Sequence, residues 1–257
     1  SVHTPIQAKP EKIKKYEAKT RAMGLDTQKT FQEGEFYPCE HKKDKRILRR
    51  LIQSDPVYAA MIESLDENIG RLISALEETG EMDNTLIVFT SDNGGLATSE
   101  GSPTCNAPLA EGKGWMYEGG TREPLFVKWP GVVEPGAVCH TPVTTPDFYP
   151  TMLEAAGADG NPDHRVDGVS IMPLLKGVGA LKREAIFWHY PHYGNQGGTP
   201  GASVRKGDYK LINFFEDDRL ELYNLREDPG ETRNLTEARP DLVRDLKESL
   251  SAWQKKV

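Results

Sequence analysis

Thr85-Leu86-Ile87-Val88-Phe89-Thr90-Ser91-Asp92-Asn93-Gly94-Gly95 is the stretch that decides the architecture. Its first six residues form an unbroken, β-branched apolar run, the pattern of a strand buried on both faces. Upstream, Asp55 is placed to cap a helix whose first residue is Pro56, where a missing N–H costs nothing. Tyr58, Met61, Ile62, Leu65, Ile69, Leu72, Ile73 and Leu76 then fall on one helical face, and Gly80 stops the helix. A long amphipathic helix, a short loop and a buried strand make the crossover pattern of a parallel α/β sheet. Ligands of such sheets gather beyond the carboxyl ends of the strands, which gives Ser91 to Gly95 a positional claim to function. The plain structural alternative is a Gly-terminated turn in which Asp and Asn make local hydrogen bonds.

Downstream, residues 94–124 are glycine-rich and nearly free of periodicity, and a loop of that length in a compact domain is functional or disordered. Leu125 to Trp129 reads as a second strand closed by Pro130-Gly131, and a short helix follows Asp147 and ends at Gly157. The stretches 185–189, 203–205, 209–213 and 220–223 are short strands separated by Gly and Asp turns, which suits an antiparallel sheet. Pro240 opens a last helix with Leu242, Val243, Leu246, Leu250 and Trp253 on one face. The expected organisation is an α/β body over residues 1–180 and a smaller α+β unit over 181–257. Residues 6–54, polar and basic around His41 to Arg46, predict a solvated helix and loop region.

Composition narrows the function classes. The chain has 257 residues, with 32 Lys+Arg against 39 Asp+Glu and a net charge of −7, which argues against a nucleic-acid surface built on a basic field. No apolar run approaches the roughly 20 residues that span a bilayer. Cys39, Cys105 and Cys139 lie far apart in no ligand spacing, so a cysteine zinc site and a disulfide-dense scaffold are excluded. The redox compartment and the oligomeric state stay open. Ser1-Val2-His3-Thr4-Pro5 opens without an initiator Met or a signal peptide and reads like a chain entered mid-domain, so further residues upstream are expected.

Three positions carry chemistry. Asp92 and Asn93 offer one carboxylate and one amide oxygen to Ca²⁺ or Mg²⁺, two donors where Ca²⁺ takes six to eight. Lys113 stands between two glycines, which let the backbone fold closely and hold an ammonium against an anion; the P-loop frame is absent, and a flexible surface lysine is the alternative. His3 is suited to donate to an anionic oxygen or to act as a general acid near neutral pH, or is simply a terminal surface histidine. From these residues alone the reading is an incomplete metal and anion site.

Taken in order, the pieces resemble the sulfatase family of the alkaline-phosphatase superfamily. The carriers are residues 1–5 (SVHTP), 86–95 (LIVFTSDNGG), Gly112-Lys113-Gly114, 117–124 (YEGGTREP), Trp129-Pro130-Gly131 and 147–151 (DFYPT). The series continues with 167–170 (DGVS), 207–211 (GDYKL), 221–225 (ELYNL) and Asp228-Pro229. The resemblance implies a sulfatase-like α/β fold, incomplete at its N-terminus, with a C-terminal antiparallel sheet. It implies that Asp92 and Asn93 are metal ligands, normally of Ca²⁺, that Lys113 binds the sulfate and steadies the leaving oxygen, and that His3 contacts the sulfate ester. Glu118 and Arg122 look like framework residues, with Arg122 ion-paired, and His189, near His192, is expected to line the substrate cleft.

A family member uses a formylglycine made from Cys or Ser in a C/S-x-P-x-R motif, and none of the three cysteines stands in one. An upstream Asp-Asp metal pair and a Lys-x-His segment are missing as well. The expectation is the C-terminal portion of a longer sulfatase acting on sulfate esters of a sulfated carbohydrate, inactive by itself and exposing an apolar strand edge at Thr85 to Thr90. The alternatives are a phosphodiesterase or phosphonate hydrolase of the same superfamily, and a non-catalytic module that binds a sulfated ligand. Family habit favours a periplasmic or secreted protein, and the sequon Asn234-Leu235-Thr236 matters only in a eukaryotic secretory route.

Overall fold

Asp55 caps the long helix as its position predicts, its Oδ1 accepting the N–H groups of Val57 and Tyr58 at 2.9 Å each. That helix runs from Pro56 to Glu78, and Gly80 ends it in the left-handed region at φ +73. The computed structural model describes residues 2–161 and 163–256, so Ser1 of the opening motif lies outside the described residues. In chain order the helices are α1 (Pro10–Ala22), α2 (Pro56–Glu78), α3 (Glu118–Thr121), α4 (Phe148–Ala156), α5 (Met172–Leu175) and α6 (Pro240–Gln254). The strands are β1 (Phe31–Phe36), β2 (Arg46–Arg50), β3 (Ile87–Thr90), β4 (Leu125–Lys128), β5 (Ile186–Tyr190), β6 (Gly201–Lys206), β7 (Tyr209–Phe214) and β8 (Leu220–Asn224).

Contacts group the chain into two compact units interleaved along the sequence. One takes residues through Leu72, Asn93–Glu123 and Phe187 onward; the other takes Ile73–Asp92 and Pro124–Ile186. The expected cut near residue 180 divides the chain in sequence, whereas these units alternate along it.

The first unit holds the four-stranded sheet, in the order β5-β6-β7-β8, with antiparallel β6–β7 and β7–β8 ladders. Lys206 pairs with Tyr209 across the two-residue loop Gly207-Asp208, and Gly207 takes φ +59, a conformation that costs a side-chain-free residue little. Met116, Ile212, Phe214, Tyr223 and Leu225 form its core, and burying each such side chain contributes on the order of 1.5–3 kcal/mol. Helix α6 buries Leu246 and Leu250, and Trp253 stacks on Phe187 of β5 with ring centroids 5.1 Å apart.

Residues 31–50 depart from the expected solvated helix and loop. They form an antiparallel β1–β2 hairpin, with Ile47 fully buried beside Tyr37, Cys39 and Trp115. The high charge of the segment masks a short strand alternation in which few positions face inward.

In the second unit β3 does not make the expected parallel pairing. It runs antiparallel to β4, with Ile87 opposite Lys128 and Phe89 opposite Phe126. Nor is it buried on both faces, since Phe89 is 38% exposed and Thr90 is exposed. Among the described residues its one sheet neighbour is β4, which leaves the other edge of β3 unpaired, the apolar edge expected of this run. Gly157 ends α4 at φ +64, as its sequence position indicates.

Candidate functional site

The site is built on backbones that only glycine allows to approach. The Gly94 N–H donates to the Gly120 carbonyl at 3.2 Å, and a Cβ on Gly94 would sit 1.8 Å from the Gly119 carbonyl oxygen. On the same floor, the Lys113 N–H donates to the Gly95 carbonyl at 3.1 Å, and a Cβ on Gly112 would meet that oxygen at 2.3 Å. Asn106 Nδ2 donates to the carbonyls of Gly95 (2.9 Å) and Glu111 (2.8 Å), locking the two loops together. Gly112 therefore brings the Lys113 backbone against the residues that follow Asn93, while Gly94 seats on Gly119-Gly120 and Gly114 packs against Gln196.

The Lys113 side chain meets His3. Lys113 Nζ lies 3.1 Å from His3 Nε2, and His3 Nδ1 lies 2.8 Å from the Thr4 carbonyl oxygen. An ammonium has only donors and a carbonyl only accepts, so the network assigns the neutral tautomer with the proton on Nδ1 and the Nε2 lone pair toward Lys113. Thr4 Oγ1 donates to Glu100 at 2.9 Å, and Asn195 Nδ2 reaches the other Glu100 oxygen at 3.3 Å. Lys42 Nζ donates to Ser99 Oγ and to the Asn195 carbonyl at 2.9 Å each, and His41 Nε2 lies 2.9 Å from Asn195 Oδ1. Glu100, Asn195, His41 and Lys42 escaped the sequence reading because partners 57 to 154 residues away leave no local signal.

Asp92, exposed, closes one compact unit and Asn93 opens the other. A carboxylate and an amide oxygen fit a hard cation in kind, and four or more further oxygens are needed to complete a Ca²⁺ shell. Among the described residues no group of three or more His, Cys, Asp and Glu is placed to hold a metal. His189 is exposed on β5 beside Phe215, with ring centroids 5.6 Å apart, and is not among the partners of Lys113 or His3.

Glu118 has a framework position. It is buried with Lys210, whose Nζ lies 3.0 Å from Glu118 Oε1 and 3.1 Å from Glu231 Oε1. Glu231 also accepts the Glu118 N–H at 2.6 Å, and burial raises its carboxyl above the ordinary range. Arg205 and Arg122 approach Glu118 Oε2 at 3.6 and 3.9 Å, so Arg122 is ion-paired as expected, though loosely and half in solvent.

The sulfatase family model matches residues 1–158, and that of the N-sulphoglucosamine sulphohydrolase C-terminal region matches 111–256. The chain belongs to the sulfatase family. A sulfatase of Formosa agariphila is 40% identical over 239 residues, 84% of this chain and 42% of the relative. The N-acetylglucosamine-6-O-sulfatase of Bacteroides thetaiotaomicron is 35% identical over 183 residues, 69% of this chain and 31% of the relative. Among solved structures, Ps i-CgsB in complex with k-i-k-neocarrahexaose superimposes with a TM-score of 0.74 at 28% identity, over 98% of this chain and 47% of that one. This sulfatase chain thus spans less than half the length of these relatives. The likeness bears out the sulfatase-like α/β fold with its C-terminal antiparallel sheet.

Proposed function

We propose that this chain supplies the anion-holding part of a sulfatase active site, in a protein that hydrolyses sulfate esters of carbohydrates. The observation that carries this reading is the approach of Lys113 Nζ to His3 Nε2 at 3.1 Å, in a chain of the sulfatase family. A cation and a proton carrier side by side are what departure of an alkoxide from a sulfuryl group requires. Lys113 turns its N–H groups from His3 to the sulfate oxygens when substrate enters. His3 Nε2, its lone pair released from Lys113, takes up a proton from solvent and passes it to the leaving oxygen, while Nδ1–H stays on the Thr4 carbonyl and fixes the ring plane.

Asp92 and Asn93 would hold Ca²⁺, or Mg²⁺ in its place, and the bound cation supplies positive charge against the sulfuryl oxygens. The nucleophile of this reading is a formylglycine contributed by sequence outside these 257 residues, so this chain alone is inactive. His189, exposed on β5, lines the sugar side of the cleft. The glucosamine-sulfate specificity in the name of one relative supports a sulfated amino sugar as substrate.

The test is turnover of 4-nitrophenyl sulfate and of N-acetylglucosamine 6-sulfate by the complete protein, with and without a chelator. Activity that a chelator removes and Ca²⁺ restores, and that Asp92→Ala lacks, is the expected result. Binding of the sulfated sugar with no turnover would make the protein a non-catalytic module. Faster cleavage of phosphonate or phosphodiester substrates would move it to the neighbouring hydrolases.

A further inference from the structure

The first unit holds a cavity of about 390 Å³ that neither His3, Asn93, Lys113 nor His189 lines. Its size falls within the roughly 300–1,000 Å³ of small-molecule sites. Trp115, Tyr117, Phe214 and Tyr223 give it aromatic walls, and Arg49 and Arg219 give it ionic ones. Glu111 and Trp115 face it from the two flanks of the loop that carries Lys113.

Both guanidinium groups are already neutralised. Arg49 Nε donates to Glu111 at 2.7 and 2.9 Å, and its terminal nitrogens donate to Glu35 at 2.6 and 3.0 Å. Arg219 pairs with Glu221, which also accepts the hydroxyls of Tyr117 and Tyr223 at 2.8 Å each. An anion entering here would have to displace a carboxylate, so the walls do not favour a sulfate or a carboxylate ligand. Phe214 and Tyr223 are buried, Phe214 under the Arg219 guanidinium at 4.1 Å, so the aromatic surface left for an apolar face is that of half-buried Trp115 and Tyr117. Arg49 keeps unused N–H donors, and the paired carboxylates keep unused lone pairs, for hydroxyl groups.

A neutral, polyhydroxylated ring with one C–H face matches that combination. We propose that this cavity binds a neutral saccharide unit, separately from the sulfate-ester site. Of its lining residues, Glu35 and Phe36 at the end of β1 and Arg219 are exposed.

The test is saturation-transfer NMR of methyl β-D-glucopyranoside and of cellobiose with the complete protein. Saturable binding is expected, undisturbed by inorganic sulfate. Thr199→Trp, which fills the cavity, and Phe36→Ala, which alters an exposed side chain and leaves the fold intact, should each weaken it by about tenfold or more. Lys113→Ala should abolish sulfate-ester turnover and keep the saccharide signal, so failure of the catalytic reading and failure of this one are distinguishable. No binding by the unaltered protein, binding that survives both cavity variants, or binding displaced by sulfate would each overturn the proposal.

Discussion

Lys113 and His3, 110 residues apart in the chain, meet through Nζ and Nε2 at 3.1 Å. The contact requires a lone pair on Nε2, and the Thr4 carbonyl holds the ring proton on Nδ1. Nitrogen-15 NMR of the His3 ring is therefore expected to show the Nδ1–H tautomer in the neutral form. In Lys113→Ala the Nε2 partner is gone and the tautomer ratio should relax toward that of a free imidazole. An unchanged ratio in the variant would mean that Lys113 does not engage the ring in solution.

The glycine floor is the next target. Gly94→Ala puts a methyl 1.8 Å from the Gly119 carbonyl oxygen, and both partners are backbone, so one loop must move. A loss of about 1–3 kcal/mol in urea unfolding is expected, with weaker sulfate binding at Lys113. Gly80→Ala, where a Cβ meets nothing within 4 Å but φ is +73, is the control that separates backbone strain from steric collision.

The buried Glu118–Lys210–Glu231 group gives a stability test with a definite sign in pH. Lys210→Met leaves two carboxylates facing one another in the interior, a loss of about 3–5 kcal/mol, and adding Glu231→Gln should recover part of it. Burial raises the Glu231 carboxyl above its ordinary 4.5, so the folded chain holds that proton more tightly than the unfolded one. Its stabilising share is complete below about 4.5 and is lost as pH rises through the raised value. Glu231→Gln should flatten that decline in chemical melts taken upward from pH 4.5.

Phe126 and Phe89 face each other across the β3–β4 ladder with ring centroids 6.2 Å apart, and both are exposed. The 257-residue chain by itself should self-associate through this surface, and Phe126→Lys should shift it toward monomer in light scattering. A monomeric unaltered chain at high concentration would count against the account of this face.

Much of this was legible in the sequence. The Asp55 cap, the Gly80 and Gly157 stops and the Gly207-Asp208 turn each depend on a residue and its immediate neighbours, and each stands where the local chemistry places it. The pairing of β3 was not legible, because an apolar run states that a strand is buried or wants to be, and not which strand lies beside it or in which direction. The β1–β2 hairpin was hidden by its charge, since Arg49 and Arg50 look solvated until Glu35, Glu111 and Asp55 are seen beside them. The motif order placed Lys113 and His3 together as candidates, while Glu100 and Asn195, which hold the His3 segment, became visible only through distant contacts.

The most direct test of the central claim is the double-mutant cycle of His3→Ala and Lys113→Ala on kcat/KM for 4-nitrophenyl sulfate in the complete protein. If the two side chains act as one unit on the sulfate ester, each single variant loses about 100-fold or more, and the double loses little beyond the worse single. Turnover that survives both substitutions, or losses that simply multiply, would contradict it.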